Sequence, residues 1–286
     1  MIIQEVAMEY IIVMDSCGER TEEMKKDEHI VSAPLTMQVD DDHFIDDDTF
    51  DQADFLKKVA ASPNSPKSAC PSPDYYKEAF SRSGKRAYAV TLSAELSGSY
   101  NSAVLAKELL LEERPEMQVH VFNSRSASIG ETLITHKIQE CEAAGMDFEE
   151  LVETVEAYID SQNTYFVLEN LETLRKNGRL SNLKAFAASM LKIKPVMGAT
   201  PEGTIIQLDQ ARGINKALVK MVGYVVEGLE HPEQRMLAIS HCNCPDRAKM
   251  VKDAILEQIS VKDVILLDTA GISTMYANDG GIIVAI

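Results

Sequence analysis

Basic side chains are scarce in this sequence. The 286 residues include 28 Lys and Arg against 45 Asp and Glu, which gives a formal net charge of −17. A surface of this charge repels the phosphates of nucleic acids and of anionic lipids. The composition therefore argues against nucleic-acid binding and allows at most a transient contact with a membrane. An anionic ligand would need hydrogen-bond donors or a basic group placed locally.

Cysteines and long apolar runs are also scarce. The five cysteines are scattered, and their odd number argues against a disulfide framework. Cys242 and Cys244 form a C-x-C, but no second pair lies at zinc spacing, so no metal site is predicted. No apolar run approaches the roughly 20 residues that cross a bilayer, and the N-terminus lacks a basic segment and a cleavage site. We therefore expect a cytoplasmic protein.

Nucleotide-binding and catalytic motifs are missing as well. Neither G-x-x-x-x-G-K-[ST] nor G-x-G-x-x-G occurs, which argues against a nucleotide or dinucleotide cofactor. Residues 96–99 (LSGS) do not match the G-x-S-x-G nucleophile elbow, and no motif ties any of the six histidines to a serine. A small-molecule hydrolase or phosphotransferase with a serine-lined cleft stays open as an alternative, without a motif to support it.

The first half of the chain alternates apolar and amphipathic segments. Strands are expected at 9–15, 30–39, 86–92 and 118–122, and helices at 49–60, 74–83, 100–113, 131–144 and 147–160. This alternation is typical of an α/β fold with a parallel, doubly wound sheet. The functional loops of such a sheet lie at the carboxyl ends of its strands.

The pattern changes near residue 162. Strands are expected at 164–168, 192–199, 204–208, 236–241, 263–268 and 281–286, and helices at 169–176, 182–190 and 213–229. A turn at 201–203 (PEG) between two strands indicates a hairpin, so this half should contain a mixed sheet. We expect an N-terminal α/β domain over 1–162 and a C-terminal mixed-sheet α/β domain over 163–286, tightly packed because no linker separates them.

Three loops of the first half are rich in hydroxyl groups. They contain Ser68 and Ser72, then Ser93, Ser97 and Ser99, then Ser124, Ser126 and Ser128. Gathered at one edge of a parallel sheet, hydroxyls and N–H groups at helix N-termini can bind a carboxylate or a phosphate. Alternatively, Ser93, Ser97 and Ser124 are only helix N-caps. The spacing leaves both interpretations open.

Two clusters of charge stand out. Residues 40–48 carry six aspartates, but they lack the glycine and glutamate of a calcium loop, so we predict a solvated acidic loop. Residues 174–181 (LRKNGRLS) bring Arg175, Lys176 and Arg179 into one turn of an otherwise acidic chain. This turn either contacts a phosphate or a partner, or only complements the dipole at a helix end.

Five segments, in order along the chain, resemble signatures of the DegV family. They are residues 15–16 (DS), 68–72 (SACPS), 91–103 (TLSAELSGSYNSA), 171–181 (LETLRKNGRLS) and 191–196 (LKIKPV). The third closely matches the family's Ser-x-x-Leu-Ser-Gly-Thr-Tyr-x-Ser-Ala pattern. The resemblance runs from about residue 10 to the C-terminus.

The resemblance implies a two-domain fold with one long-chain fatty acid, such as palmitate, stearate or oleate, in a tunnel between the domains. It implies that Ser68 and Ser93 bind the carboxylate. Tyr276 stands where many relatives have a histidine, and a tyrosine hydroxyl can also donate the hydrogen bond. The residues expected in the loops around the ligand are Ser16, Ser97, Gly98 and Ser126.

The resemblance also implies a role. Some family members present the bound acid to a separate kinase, which phosphorylates the carboxylate. This chain would then be a lipid carrier and substrate-presenting subunit, not an enzyme acting alone. Its basic turn, Arg175, Lys176 and Arg179, would contact the partner or a phosphate. Burying about 14 methylenes at roughly 0.8 kcal/mol each contributes on the order of 11 kcal/mol before ordering costs, so the tail would dominate affinity.

Overall fold

The computed structural model describes residues 8–180, 192–227 and 229–286, which form an α/β protein with three sheets. The strands are β1 (Met8–Asp15), β2 (Ile30–Ala33), β3 (Thr36–Val39), β4 (Asp42–Ile45), β5 (Lys67–Ala69), β6 (Ser83–Thr91), β7 (Gln118–Asn123), β8 (Thr164–Val167), β9 (Ile193–Ala199), β10 (Ile205–Arg212), β11 (Met236–His241), β12 (Asp263–Asp268) and β13 (Ile282–Ala285). The α-helices are α1 (Glu22–Lys26), α2 (Gln52–Ala61), α3 (Pro73–Phe80), α4 (Ser99–Glu113), α5 (Ile129–Ala143), α6 (Phe148–Ser161), α7 (Glu172–Lys176), α8 (Ile214–Glu227), α9 (Pro245–Leu256) and α10 (Gly271–Ala277).

Sheet A has the strand order β2-β1-β6-β7 and is parallel throughout. Its two central strands contain continuous apolar runs, IIVM in β1 and AYAV in β6, as expected for strands covered on both faces. Helices α3 and α4 cover one face with Tyr76, Phe80 and Leu110. Helices α5 and α6 cover the other with Ile138 and Leu151. The predicted parallel, doubly wound sheet is confirmed.

Sheet C has six strands in the order β10-β9-β8-β13-β11-β12. Only β11 and β12 are parallel neighbours, so the predicted mixed sheet is confirmed, as is the hairpin β9–β10. Helices α8 and α9 cover one face. On the other face, Ile129 and Leu133 of α5 pack against Ala238 and Ala285. Helix α5 therefore packs against both large sheets.

Sheet B is a small antiparallel sheet with the order β4-β3-β5. The single strand expected over 30–39 is wrong, because the chain turns at Pro34 so that β2 joins sheet A and β3 joins sheet B. Proline has no N–H for a strand ladder and so marks the break.

The solvated acidic loop expected over 40–48 is confirmed in part, because five of its six aspartates are exposed, but it is wrong in two respects. Residues Asp42–Ile45 form β4, and Asp46 is only 3% exposed. The Asp46 carboxylate accepts the backbone N–H groups of Gly271 and Ile272 at 2.7 and 2.8 Å, which compensates part of the cost of burying it.

Two helices, α9 and α10, were not predicted. Helix α10 is short and contains Gly271, Ser273 and Thr274, which are poor helix formers, so tertiary contacts rather than local propensity stabilise it. The helix predicted at 182–190 lies outside the described residues. None of the described helices combines the length and the apolar character needed to cross a bilayer.

Candidate functional site

An apolar pocket lies between sheet A and sheet C. It encloses about 770 Å³ of space, a volume that includes open solvent at its mouth. The first half contributes Leu92 and Leu96 from the loop after β6, together with Cys17 and the loop between β7 and α5. The second half contributes most of the remaining wall, which consists mainly of Phe166, Leu168, Leu174, Gly198, Ala199, Ile272, Ala277 and Ile283.

Ser68 and Tyr276 meet beside this pocket, as the proposed carboxylate ligands should. Ser68 lies in the short strand β5, and its Oγ is 3.3 Å from the hydroxyl of Tyr276. Tyr276 lies on α10 and lines the pocket. The Arg179 guanidinium, which also lines the pocket, stacks over the Tyr276 ring at 5.8 Å. Two hydroxyls and one cation are therefore available to an anionic head group.

Ser93 is fully buried and is bonded to the β9–β10 turn, not to Ser68 or Tyr276. Its Oγ donates to the carbonyl of Gly203 at 2.9 Å, and its N–H donates to the carbonyl of Ser126. Gly203 has φ +93°, and a Cβ there would lie 2.3 Å from the Ser93 Oγ. The turn of the β9–β10 hairpin therefore closes directly on Ser93, and the hydroxyl must leave this carbonyl before it can donate to a ligand.

The N-cap interpretation of the serines is wrong. The residue that caps α4 is Gly98, which has no side-chain cap bond, and the cap of α5 is Ser128, whose φ of +57° is not that of an ordinary cap. Ser97 comes nearest to this role, because its Oγ accepts the N–H of Ser99 at 3.2 Å. Ser124 instead donates its hydroxyl to a neighbouring carbonyl within its own loop.

The other expected loop residues divide into two groups. Ser126 lines the pocket, and its Oγ lies 2.6 Å from the Oγ1 of Thr164, which joins the two halves. Gly98 is close enough to the Ser68 loop that an added Cβ would lie 3.3 Å from the Cys70 Sγ. Ser16 is buried outside this pocket, where its hydroxyl donates to Asp46 at 2.9 Å.

The basic turn is divided between the surface and the pocket. Arg175 is exposed and forms an ion pair with Glu172 at 2.8 Å, and Lys176 is exposed beside it. Arg179 is half-buried, and its Nε donates to the carbonyl of Leu96 at 3.1 Å. Arg179 is thus part of the pocket wall, whereas the other two cations are accessible to a partner.

Four buried carboxylates lie next to the pocket: Asp15, Glu19, Asp46 and Glu131. Desolvation raises the pKa of Glu19 to about 8 and that of Asp46 to about 6. The sequence reasoning missed this cluster, apart from placing Asp15 at the end of the first strand. Glu131 looks like an ordinary acidic residue in the first turn of a helix, so no local pattern indicates its burial.

The chemistry of the site favours binding. Among the described residues, no serine hydroxyl forms a hydrogen bond with a histidine, which is the arrangement that activates a serine nucleophile. The aliphatic wall excludes water, and the few polar groups near Tyr276 can orient an anionic group. This arrangement suits an amphiphile with a long apolar tail.

Known proteins are similar to this chain in sequence and in fold. The model of the DegV family, described as an uncharacterised protein family, matches residues 10–286. A DegV domain-containing protein of Streptococcus pneumoniae is 36% identical over 254 residues, which are 88% of this chain and 89% of that protein. A crystal structure of a DegV family protein from Ruminococcus gnavus with vaccenic acid is 55% identical, covers 98% of this chain and 100% of that one, and has a TM-score of 0.95.

A third relative connects the fold to a kinase. The Streptococcus pneumoniae Fatty Acid Kinase (Fak) B3 protein, crystallised with linoleic acid, is 33% identical and covers 97% of this chain and 99% of that one, with a TM-score of 0.87. These matches extend over nearly the whole chain and include the two-domain α/β fold. The chain therefore belongs to the DegV family.

Proposed function

We propose that this protein binds one long-chain fatty acid in the pocket between its two halves and presents the carboxylate to a fatty acid kinase. The observation that carries the proposal is the aliphatic pocket with Ser68, Tyr276 and Arg179 gathered beside it. The relatives from Ruminococcus gnavus and Streptococcus pneumoniae, crystallised with vaccenic and linoleic acid, support it.

Affinity comes mainly from the tail. Removing about 14 methylenes of a sixteen-carbon acid from water contributes on the order of 11 kcal/mol before ordering costs. The hydroxyls of Ser68 and Tyr276 orient the carboxylate, with Arg179 beside them. Ser93 joins this set when its hydroxyl turns away from Gly203. The head group thus fixes which end of the ligand a partner can reach.

We propose that the chain divides into two domains, 1–162 and 163–286, and that the second closes the lipid tunnel. Strands β1 to β7 all belong to sheet A or sheet B. Sheet C contains only later strands, and the first of them along the chain is β8, directly after α6. At this junction, Asn163 exchanges backbone hydrogen bonds with the C-terminal Ile286 at 2.8 and 3.1 Å. These bonds hold the end of the chain against the point where the halves meet.

The remaining loop residues position the loops that contain Ser68 and Ser93. Ser97 and Gly98 form the entry to α4 beside the Ser68 loop, and Ser126 joins its loop to the first strand of the second domain. Ser16 acts from outside the pocket, because it accepts the N–H of Leu35 and donates to Asp46. Each contributes geometry rather than a direct bond to the ligand.

The partner side of the proposal rests on the exposed cations. Arg175 and Lys176 are accessible in a protein of net charge −17, where a basic patch can contact the phosphates of ATP or an acidic kinase surface. The kinase would transfer the phosphoryl group, and this chain would supply only the positioned carboxylate. We place the protein in the cytoplasm, where its five free cysteines stay reduced.

Native mass spectrometry of the purified protein, followed by extraction, tests ligand binding directly. We expect one adduct per chain that extracts as an acid of roughly sixteen to eighteen carbons, since a tail worth on the order of 10 kcal/mol survives purification. Delipidated protein should take up one equivalent of added palmitate. Protein that carries no adduct and takes up no fatty acid contradicts the proposal.

A pair of matched variants locates the ligand. Leu96 lines the pocket from a loop, so Leu96→Trp should fill the tunnel and abolish the adduct. Leu105, 45% exposed on α4, receives the same substitution without touching the pocket, so Leu105→Trp should retain the adduct. Equal loading of both variants would place the ligand elsewhere.

The alternative function is tested with the isolated chain. A hydrolase or phosphotransferase would turn over generic ester or phosphate substrates without a partner. We expect no turnover by the chain alone, and ATP-dependent formation of acyl phosphate only when a fatty acid kinase subunit is added. Turnover that is lost in Ser93→Ala but needs no partner would favour the enzymatic alternative.

A further inference from the structure

Glu131 is a buried acid without a conventional partner. It lies in the first turn of α5 and is fully buried, and neither carboxyl oxygen receives a hydrogen bond from an N–H or O–H donor of the described residues. The groups that face it are the Asp15 carboxylate and the Cys17 thiol, and the three side chains bring their reactive atoms within 4.8 Å of one another. An ionised Glu131 in this position would be very costly.

Asp15, in contrast, accepts three hydrogen bonds from the chain and has room for a fourth. Its Oδ1 accepts the N–H of Cys17 at 3.1 Å. Its Oδ2 accepts the N–H of Leu92 at 3.0 Å and the hydroxyl of Ser99 at 2.6 Å. Burial raises the pKa of Asp15, and these bonds oppose that shift by stabilising its ionised form. They also join the end of β1 to both ends of the loop 92–98, which contributes Leu92 and Leu96 to the pocket wall.

The surroundings supply no positive charge. The other titratable groups that face the pair are Glu19, Asp46, Cys17 and Tyr76, and all of them are acids. In the part of the chain that the structure describes, no ion pair includes any of the four buried carboxylates. A proton or a bound cation must therefore reduce the negative charge.

The chain is also packed closely against the stem of Glu131. A Cβ at Gly18 would lie 2.9 Å from the Cβ of Glu131 and 2.8 Å from the Sδ of Met14, so a larger residue at Gly18 would force these side chains to move. The stem is thus held between α5 and the end of β1, and the carboxyl group at its end is fully buried.

We propose that Glu131 is a neutral carboxylic acid that donates a hydrogen bond to the Asp15 carboxylate. This hydrogen-bonded pair positions the loop 92–98 as a wall of the pocket. The inference goes beyond the proposed function, because it depends only on the packing of α5, β1 and this loop. Desolvation, followed by the charge of Asp15, raises the pKa of Glu131 well above its ordinary value, in agreement with the geometry.

A proton explains the contacts better than a metal ion does. A cation held by Asp15, Cys17 and Glu131 would compete for the Asp15 oxygens, both of which already accept hydrogen bonds from the chain. The Cys17 Sγ also accepts the N–H of Ser128 at 3.4 Å. Metal content is nevertheless measured, because a bound cation is the competing explanation.

Infrared spectroscopy at pH 9 detects the proton directly. At this pH Glu19, whose pKa is about 8, is mostly ionised, so a remaining C=O band of a protonated glutamic acid is expected to come from Glu131. We expect the band in wild type and in Glu19→Gln, and its loss in Glu131→Gln. Labelling the wild type with ¹³C-glutamate should shift the band. A wild-type spectrum without it overturns the proposal, whether or not the variants fold.

Conservative replacement separates positioning from bulk packing. Glutamine keeps an N–H donor toward Asp15, whereas leucine keeps the volume and removes the donor. We expect Glu131→Gln to bind palmitate within about twofold of wild type, and Glu131→Leu to bind at least about tenfold more weakly, because leucine removes one of the hydrogen-bond donors to the buried Asp15 carboxylate. Equal affinities in the two variants overturn the positioning role.

The pH profile and the metal content complete the test. Wild-type stability should fall as the pH rises toward 9, because Glu131 stays protonated in the folded protein and loses its proton when the chain unfolds, and Glu131→Gln should reduce this fall. Elemental analysis of purified wild type should find no stoichiometric divalent metal. A stoichiometric metal that is absent from Glu131→Gln would show that a cation, not a proton, neutralises the pair.

Discussion

Glu19 provides a sharp test of the buried acid cluster. Its carboxylate is 2% exposed and accepts the hydroxyl of Ser128 with both oxygens, at 2.8 and 2.9 Å. These bonds do not offset the loss of water, so the pKa of Glu19 is raised to about 8 from an ordinary value of 4.5. We predict that Glu19→Gln, which replaces a titrating group by a neutral one of the same shape, makes stability less dependent on pH.

The sign and the size follow from linkage. The folded pKa exceeds the unfolded one, so the stability contributed by neutral Glu19 is fully present below about pH 4.5 and is lost as the pH rises through 8. Between pH 5.5 and 8 the loss amounts to roughly 2.5 pH units at about 1.4 kcal/mol each, or roughly 3 kcal/mol. This is a large part of the stability of an ordinary domain.

Urea unfolding at pH 5.5, 7 and 8.5 measures the effect. Wild type should lose stability over this range, and Glu19→Gln should lose roughly 3 kcal/mol less. Glu112, an exposed residue of α4, provides the matched control, because Glu112→Gln removes one charge without entering the cluster. The two variants therefore make the same chemical change at a buried and at an exposed position.

One result would refute the reasoning. If Glu19→Gln and Glu112→Gln both reproduce the pH dependence of wild type, Glu19 keeps an ordinary pKa in the folded protein. The side chain would then be in contact with water, and the packing of Ser128 against it would be looser than the structure shows. An increase in pH dependence for Glu19→Gln would contradict the assigned direction of the shift.

Three further predictions concern the pocket and its partner. Tyr276→Phe should raise the dissociation constant for palmitate about tenfold or more in an equilibrium binding assay, whereas Tyr224→Phe, far from the pocket on α8, should not change it. Gly203→Ala should lower the free energy of unfolding by at least about 2 kcal/mol, because its Cβ would lie 2.3 Å from a hydroxyl oxygen. Gly213→Ala, at φ +90° with open space around it, should cost only about 1 kcal/mol in the same denaturation assay. Arg175→Glu should leave palmitate affinity unchanged and slow acyl phosphate formation by an added kinase at least about tenfold, since only the partner contact is altered.

The sequence was sufficient wherever local pattern decides structure. The apolar runs of β1 and β6 are typical of strands covered on both faces, and the alternation with helices predicts a parallel sheet. The hairpin β9–β10 follows from a turn between two strands. Five short segments, among them 91–103 and 171–181, predicted the family, and the match over residues 10–286 confirms it.

Local pattern failed where distant segments meet. At Pro34 the chain leaves sheet A and enters sheet B. Asp46 is buried because it accepts hydrogen bonds from the start of α10, 225 residues further along the chain. Helix α10 itself has little intrinsic propensity. Periodicity reports which face of one element is apolar, and it contains no information about the partner of a polar side chain.

The sequence by itself thus determined the α/β class, the two sheets and the family, because hydrophobic periodicity and short motifs are properties of neighbouring residues. Only the tertiary structure decided which hydroxyls lie beside the pocket. It paired Ser68 with Tyr276, turned Ser93 toward Gly203, and buried Glu131 against Asp15. These outcomes depend on how loops from different strands pack, since the free energy of a buried polar group depends on the partners that the whole fold brings to it.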